Sequence, residues 1–181
     1  MRSFLLALLL AFPLDAQTLN NELGVSFGRA GLGTDAADES TADTIGLSFN
    51  HYWTPAISTR FSVTEFGIQA FRLDLGTGRS LDMNAISAAV EYHVMRDNIL
   101  SPYAGAGIAY VESEIHQIHG GELSAGREVA PLVTVGADLN FARRFAVGFD
   151  GTYLMYRPEY AVIGTTDLDP FTISATLKYR W

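Results

Sequence analysis

An eight-stranded antiparallel up-and-down transmembrane β-barrel is the fold this sequence predicts, and three observations predict it. Residues 171–181 alternate strictly between apolar and polar. Upstream segments repeat that pattern until eight can be counted. The connections between them run alternately short and long.

The C-terminal segment is the clearest. Phe171, Ile173, Ala175, Leu177, Tyr179 and Trp181 fall on one side of an extended chain, and Thr172, Ser174, Thr176, Lys178 and Arg180 on the other. That is a strand with one apolar and one polar face. Its length matches the ~9–11 residues that a tilted strand needs to cross hydrocarbon. Aromatic residues stand at both ends of the apolar face, where a bilayer interface favours them. The two cations opposite suit a polar lumen. An open sheet in lipid would leave edge groups unpaired at several kcal/mol each, so such a strand requires a closed barrel. Phe171, Ile173, Leu177, Tyr179 and Trp181 also have the form of the terminal signal that barrel-assembly machinery reads.

The chain of 181 residues carries a net charge of −8, no cysteine and only 18% charged residues. One domain is the natural reading of that length. The acidic balance excludes a nucleic-acid partner, since nothing here could neutralise a run of phosphates. Residues 1–16 read as a cleaved signal peptide, with Gln17 as the mature N-terminus: Arg2 precedes an apolar run from Phe4 to Phe12, and Ala16 supplies a small residue at the cut. As a helix that run would rise only ~13.5 Å, against a hydrocarbon core of ~30 Å. The expectation is export to the outer membrane, with residues 17–181 forming the barrel among lipid and lipopolysaccharide.

In order, the first strand sets Leu23, Val25 and Phe27 against Gly24, Ser26 and Gly28. The second sets Ile45, Leu47 and Phe49 against Thr44, Gly46 and Ser48, and the third Phe61 and Val63 against Arg60, Ser62 and Thr64. In the fourth, Ile86, Ala88, Val90 and Tyr92 oppose Ser87, Ala89, Glu91 and His93. In the fifth, Ala104, Ala106, Ile108 and Tyr110 oppose Tyr103, Gly105, Gly107 and Ala109. Val133, Val135, Ala137 and Leu139 oppose Thr134, Gly136 and Asp138 in the sixth; Phe145, Val147 and Phe149 oppose Gly148 and Asp150 in the seventh. Residues 54–56, 95–101 and 143–144 make short connections, expected as periplasmic turns. Residues 31–43, 76–82, 112–128 and 157–170 make longer, more polar ones, expected as extracellular loops. A soluble lipocalin-like barrel would put apolar side chains inside and charges outside. Here the alternate face carries Arg60, Glu91, His93, Asp138, Asp150, Lys178 and Arg180 among glycines that leave room for them.

Ser101-Pro-Tyr-Ala-Gly-Ala-Gly-Ile-Ala-Tyr110 resembles the Pro-Tyr-x-Gly-x-Gly strand of the OmpW family of small outer-membrane proteins. Asp167-Leu-Asp-Pro-Phe171 and the strand to Trp181 resemble that family's C-terminal signature. The likeness covers residues 101–181 well and the first half by pattern alone. Phe171 stands where the family pattern has Trp, and the chain ends in Trp rather than Phe. The resemblance implies an eight-stranded channel passing small hydrophobic molecules through the outer membrane.

Few residues form chemical constellations. Arg60, Glu91, Asp138, Asp150, Lys178 and Arg180 read as a lumen charge network, either selective or simply structural, since charges away from water must be paired. Glu112, Ser113, Glu114, His116, His119 and Glu122 fall in the third long loop, where a zinc site or a hydrolase triad is conceivable. A solvated loop is the expectation, so no enzyme, metal or cofactor is expected. Asp35, Asp38, Glu39 and Asp43 make the first loop acidic, a place for divalent cations or simply for water. Higher in the barrel, inward parity gives Phe66, Ile68, Val111, Leu132 and Leu154. An apolar cup over a polar floor is the lining expected of a channel that takes a hydrophobic solute and releases it sideways. Glu65 faces lipid on this parity unless it sits at the interface or a bulge shifts the phase. The expected function is a non-enzymatic channel for small hydrophobic solutes, with a non-conducting structural or surface-interaction barrel (OmpA/OmpX-like) as the alternative.

Overall fold

The computed structural model describes residues 19–31, 41–71, 79–117, 122–157, 159–160, 164–165 and 169–181. The signal-peptide reading, Asp35, Asp38, Glu39 and His119 lie outside them, as do the side chains of Ile68, His116 and Glu122. The long strands are β1 (Asn21–Gly31), β2 (Thr41–Tyr52), β3 (Ile57–Phe71), β4 (Arg79–His93), β5 (Leu100–Gln117), β6 (Glu122–Ala142), β7 (Phe145–Leu154) and β10 (Phe171–Arg180). Two-residue strands β8 (Glu159–Tyr160) and β9 (Gly164–Thr165) pair with each other before β10.

Each long strand lies antiparallel to the next, and β10 closes the barrel on β1. Leu23 stands opposite Tyr179 and Val25 opposite Leu177, so the alternation of the two strands is in phase across the closing seam. Asn21 and Trp181 exchange both backbone hydrogen bonds, each 3.1 Å, at its end. A sheet closed in this way has no edge to satisfy in lipid.

The distribution of side chains decides the solvent. Ile173, Leu177 and Ile86 point outward with 62, 57 and 59% of their surface exposed, whereas Lys178, Glu91 and Asp138 point inward with 1, 0 and 0%. A water-soluble barrel has the opposite arrangement. Phe141, Phe145, Tyr179, Trp181 and Phe49 follow one another with ring centroids 5.3–6.3 Å apart, an outward chain of aromatics at the turn end that crosses the closing seam.

The connections at the turn end are short, residues 53–56, 94–99 and 143–144, close to expectation. At the opposite end, two expected loops are largely strand. Residues 112–117 and 122–128 continue β5 and β6 as a hairpin, with Glu112 opposite Arg127 and Glu114 opposite Ala125. Likewise β4 begins at Arg79 rather than after residue 82. Beyond the hydrocarbon the outward face meets water and carries Glu112, Glu114 and Arg127, so the apolar alternation stops although the backbone ladder continues. The hairpin outruns its neighbour: β5 and β6 have 18 and 21 residues and β7 has 10.

Glu65 does face outward and is exposed. No bulge precedes it, because the β3–β4 register shifts only between Ile68 and Phe71. It pairs with Ile45 and Asn84, while the next outward step on β2 is Asp43, ion-paired to Arg29 at 3.1 Å. Below it on β3 come Val63 and Phe61. Glu65 therefore marks the upper edge of the apolar belt.

Candidate functional site in the barrel interior

The interior has three layers, set by what each strand turns inward. The lowest is a ring of charges. Lys178 Nζ lies 2.7 Å from Asp138 Oδ1 and 3.3 Å from Glu22 Oε1; Arg180 reaches Glu22 Oε2 with Nε at 2.6 Å and Asp138 Oδ2 with Nη2 at 3.3 Å. Two cations and two carboxylates thus alternate around a closed circuit, every one of them buried. Space for it comes from Gly148, where a Cβ would sit 2.8 Å from both Asp138 Oδ1 and Lys178 Cε.

A second group lies beside this ring. Arg60 Nε approaches Glu91 Oε1 at 2.9 Å, an ion pair whose alignment falls short of a hydrogen bond. Arg60 also lies 3.9 Å from Asp150 and donates to the Tyr103 hydroxyl at 3.1 Å, which in turn donates to Asp150. Tyr103 further receives Lys178 Nζ over its ring at 5.0 Å. That ring fits because Gly136 has no Cβ, which would lie 2.6 Å from the hydroxyl. The six expected network residues Arg60, Glu91, Asp138, Asp150, Lys178 and Arg180 are all brought together. Glu22 and Tyr103 complete the network and were not anticipated. Parity with Gly24 and Ser26 was the available signal for Glu22.

Ser58, His93 and Glu91 superficially resemble a hydrolase triad. Ser58 Oγ lies 3.1 Å and Glu91 Oε2 3.3 Å from the same imidazole nitrogen, Nε2, while Nδ1 has no described partner. A relay needs nucleophile and acid on opposite nitrogens. All three residues are buried, so this is packing of a polar floor. Of the third-loop constellation, Glu112, Ser113 and Glu114 are on β5; Glu112 pairs with Arg127 at 3.1 Å. Ser113 points inward and shares a 2.6 Å hydrogen bond with the Tyr156 hydroxyl. Their expected loop position is corrected by the hairpin. Among the described residues no three His, Asp or Glu side chains form a metal-binding group.

Above the charges lies a chamber of about 90 Å³ walled by hydroxyls, among them Ser26, Ser48, Ser62, Ser87, Thr134 and Thr152. Ser62 and Ser87 hydrogen-bond at 2.6 Å, and Ser174 donates to Asp150 at 2.9 Å. The top layer is apolar. Phe66, Met83, Val111, Leu132, Leu154 and Tyr156 belong to one buried cluster. Phe66, Leu132 and Leu154 have their expected inward parity and form the ceiling of the chamber. The cup expected from sequence is filled: its side chains pack on one another, with Val111 and Met83 wholly buried.

An inverted, closed eight-stranded barrel with a paired polar interior is an outer-membrane type of protein. The chain belongs to the outer membrane protein beta-barrel domain family, whose model matches residues 4–180. Solved structures share the fold at low identity. Neisserial surface protein A is 11% identical, with a TM-score of 0.69 over 90% of this chain and 97% of that one. OprG from Pseudomonas aeruginosa is 12% identical with a TM-score of 0.68, covering 90% and 96%. Ail, the attachment invasion locus protein of Yersinia pestis, is 13% identical with a TM-score of 0.60, covering 90% and 99%. No curated protein sequence matches the chain.

Proposed function

We propose that this outer-membrane barrel is closed to straight-through passage and serves to hold its loop-end segments, the β5–β6 hairpin foremost, at the cell surface. The observation that carries this reading is the stacking of a buried charge ring, a small hydroxyl-lined chamber and a packed apolar ceiling. An ion crossing it would have to separate charge pairs in a low-dielectric lumen. The test is reconstitution into planar bilayers and liposomes. Flat current traces and no swelling with small sugars are expected; stepwise conductance in the wild-type chain would sink the reading.

A second reading, the OmpW-like channel for small hydrophobic molecules, draws support from one place. The β6–β7 register ends at Leu132 opposite Leu154, two of the ceiling residues; the adjoining Pro131 accepts from the Met155 N–H at 2.9 Å but has no N–H to return to β7. A hydrophobic solute that displaced the ceiling there could leave sideways into the membrane without meeting the charges. Uptake of a hydrophobic dye by liposomes, compared between wild type and Leu132→Asn/Leu154→Asn, separates the two readings. Equal uptake favours the closed barrel, and a clear loss favours the lateral channel.

A further inference from the structure

We propose that the turn-end mouth of the barrel binds a phosphate-ester anion, at a site below the three interior layers that shares only Arg180 with them. A bowl of about 560 Å³ opens there, and Arg96, Arg143 and Arg180 line it against one lining carboxylate, Asp97. Arg180 is already neutralised by Glu22 and Asp138. Arg96 is not. Its guanidinium carbon lies 3.5 Å from the centre of the Tyr52 ring, it donates to the Leu19 carbonyl, and its Nε is buried with no described partner. No described carboxylate pairs with the exposed Arg143 beside it. In a chain of net charge −8, this is a concentration of cations that the fold leaves uncompensated.

The bowl is held in shape. Asn140 Nδ2 donates to the carbonyls of Arg96 at 2.9 Å and Asn98 at 2.5 Å, and its Oδ1 accepts from Arg180 Nη1 at 2.6 Å. The 94–99 turn is therefore fixed against β10, so the Arg96 backbone needs no rearrangement to receive a ligand. Guanidinium forks match phosphate oxygens. Two of them lining one bowl from separate turns suit a tetrahedral anion, with acceptors in several directions, better than a planar carboxylate. The rim is apolar where it meets the membrane: Ile99 and Phe141 line the same bowl and are 74 and 60% exposed. That combination fits the head and upper chain of an anionic phospholipid; a small phosphomonoester shares the head chemistry without the chain.

The experiment uses the folded barrel in neutral maltoside micelles, offered equal amounts of phosphatidylglycerol and phosphatidylcholine and read by native mass spectrometry. One phosphatidylglycerol per barrel is expected, preferred about thirtyfold, the size two basic groups give against one anionic head. Arg96→Gln/Arg143→Gln should bring the ratio close to parity, while Arg127→Gln on the distant hairpin should leave it unchanged. Arg143→Gln alone, an exposed turn position, should lower it severalfold and decides the matter if the double variant does not fold. Displacement of the lipid by millimolar glycerol phosphate identifies the phosphate itself as the ligand; resistance to it identifies the lipid. Absence of any preference in wild type, or a preference that survives Arg143→Gln and the folded double variant, overturns the proposal.

Discussion

Lys178 and Asp138 stand 40 positions apart in the chain and meet at 2.7 Å inside the barrel, on strands that do not pair with each other. β7 runs between β6 and β10, and its Gly148 is the gap through which the two side chains touch. The contact spans one strand because that strand contributes no side chain there.

Asp138→Ala should destabilise the barrel by about 3–5 kcal/mol, the usual cost of leaving a buried charge without its partner. Lys178 keeps Glu22 at 3.3 Å, which places the expected value at the lower end. Asp138→Leu with Lys178→Met should lose less than the two single changes summed, since Glu22 and Arg180 still pair. Urea unfolding in detergent, followed by the heat-modified gel shift, measures both.

Gly148→Ala should cost about 1–3 kcal/mol through overpacking against Asp138 and Lys178. Gly31→Ala is the internal comparison, because a Cβ there meets nothing within 4 Å. Equal effects at the two positions in the same unfolding assay would contradict the account of Gly148.

Tyr179→Asp with Trp181→Asp should separate folding from delivery. Near an interface such changes cost roughly 1 kcal/mol each, so the variant should still refold into detergent. In cells it should be lost from the outer membrane, because the terminal aromatic signal is gone. Normal heat-modifiable protein in outer-membrane fractions would count against that signal.

Cysteine placement tests the orientation, helped by the absence of native cysteine. Asp38→Cys or Thr165→Cys should react with an impermeant maleimide on intact cells, and Pro55→Cys or Arg143→Cys should not. The reverse pattern would turn the barrel over and move the arginine bowl to the outside.

Parity made most of the lumen legible. Once residues 171–181 were phased, Lys178 and Arg180 had to face inward, and the same step placed Asp138, Asp150, Glu91 and Arg60. Glu22 escaped because it precedes the first apolar residue of β1, although counting back from Gly24 and Ser26 turns it inward. The β5–β6 hairpin escaped for a different reason: past Tyr110 and Val129 the outward face turns to Glu112 and Arg127 and the inward face to Ser113 and Gly126, so no apolar alternation is left to count. Phe66, Leu132 and Leu154 were readable as inward and apolar. That they meet one another depends on the barrel's width and on the bulk of Met83 and Tyr156, which periodicity does not encode.

The Arg180–Glu22 bond joins positions 158 apart, the first and last strands of the barrel. Lys178 reaches Glu22 across the same seam. A chain halted one strand short would carry Glu22 bare on β1, and an undocked β10 would carry both cations bare, each facing a medium that cannot solvate it. Asp138 can hold the two cations before the seam closes, but Glu22 is neutralised only by closure, so an intermediate with the seam ajar keeps a bare carboxylate in hydrocarbon. The barrel's own charges act as a latch that rewards only the finished ring.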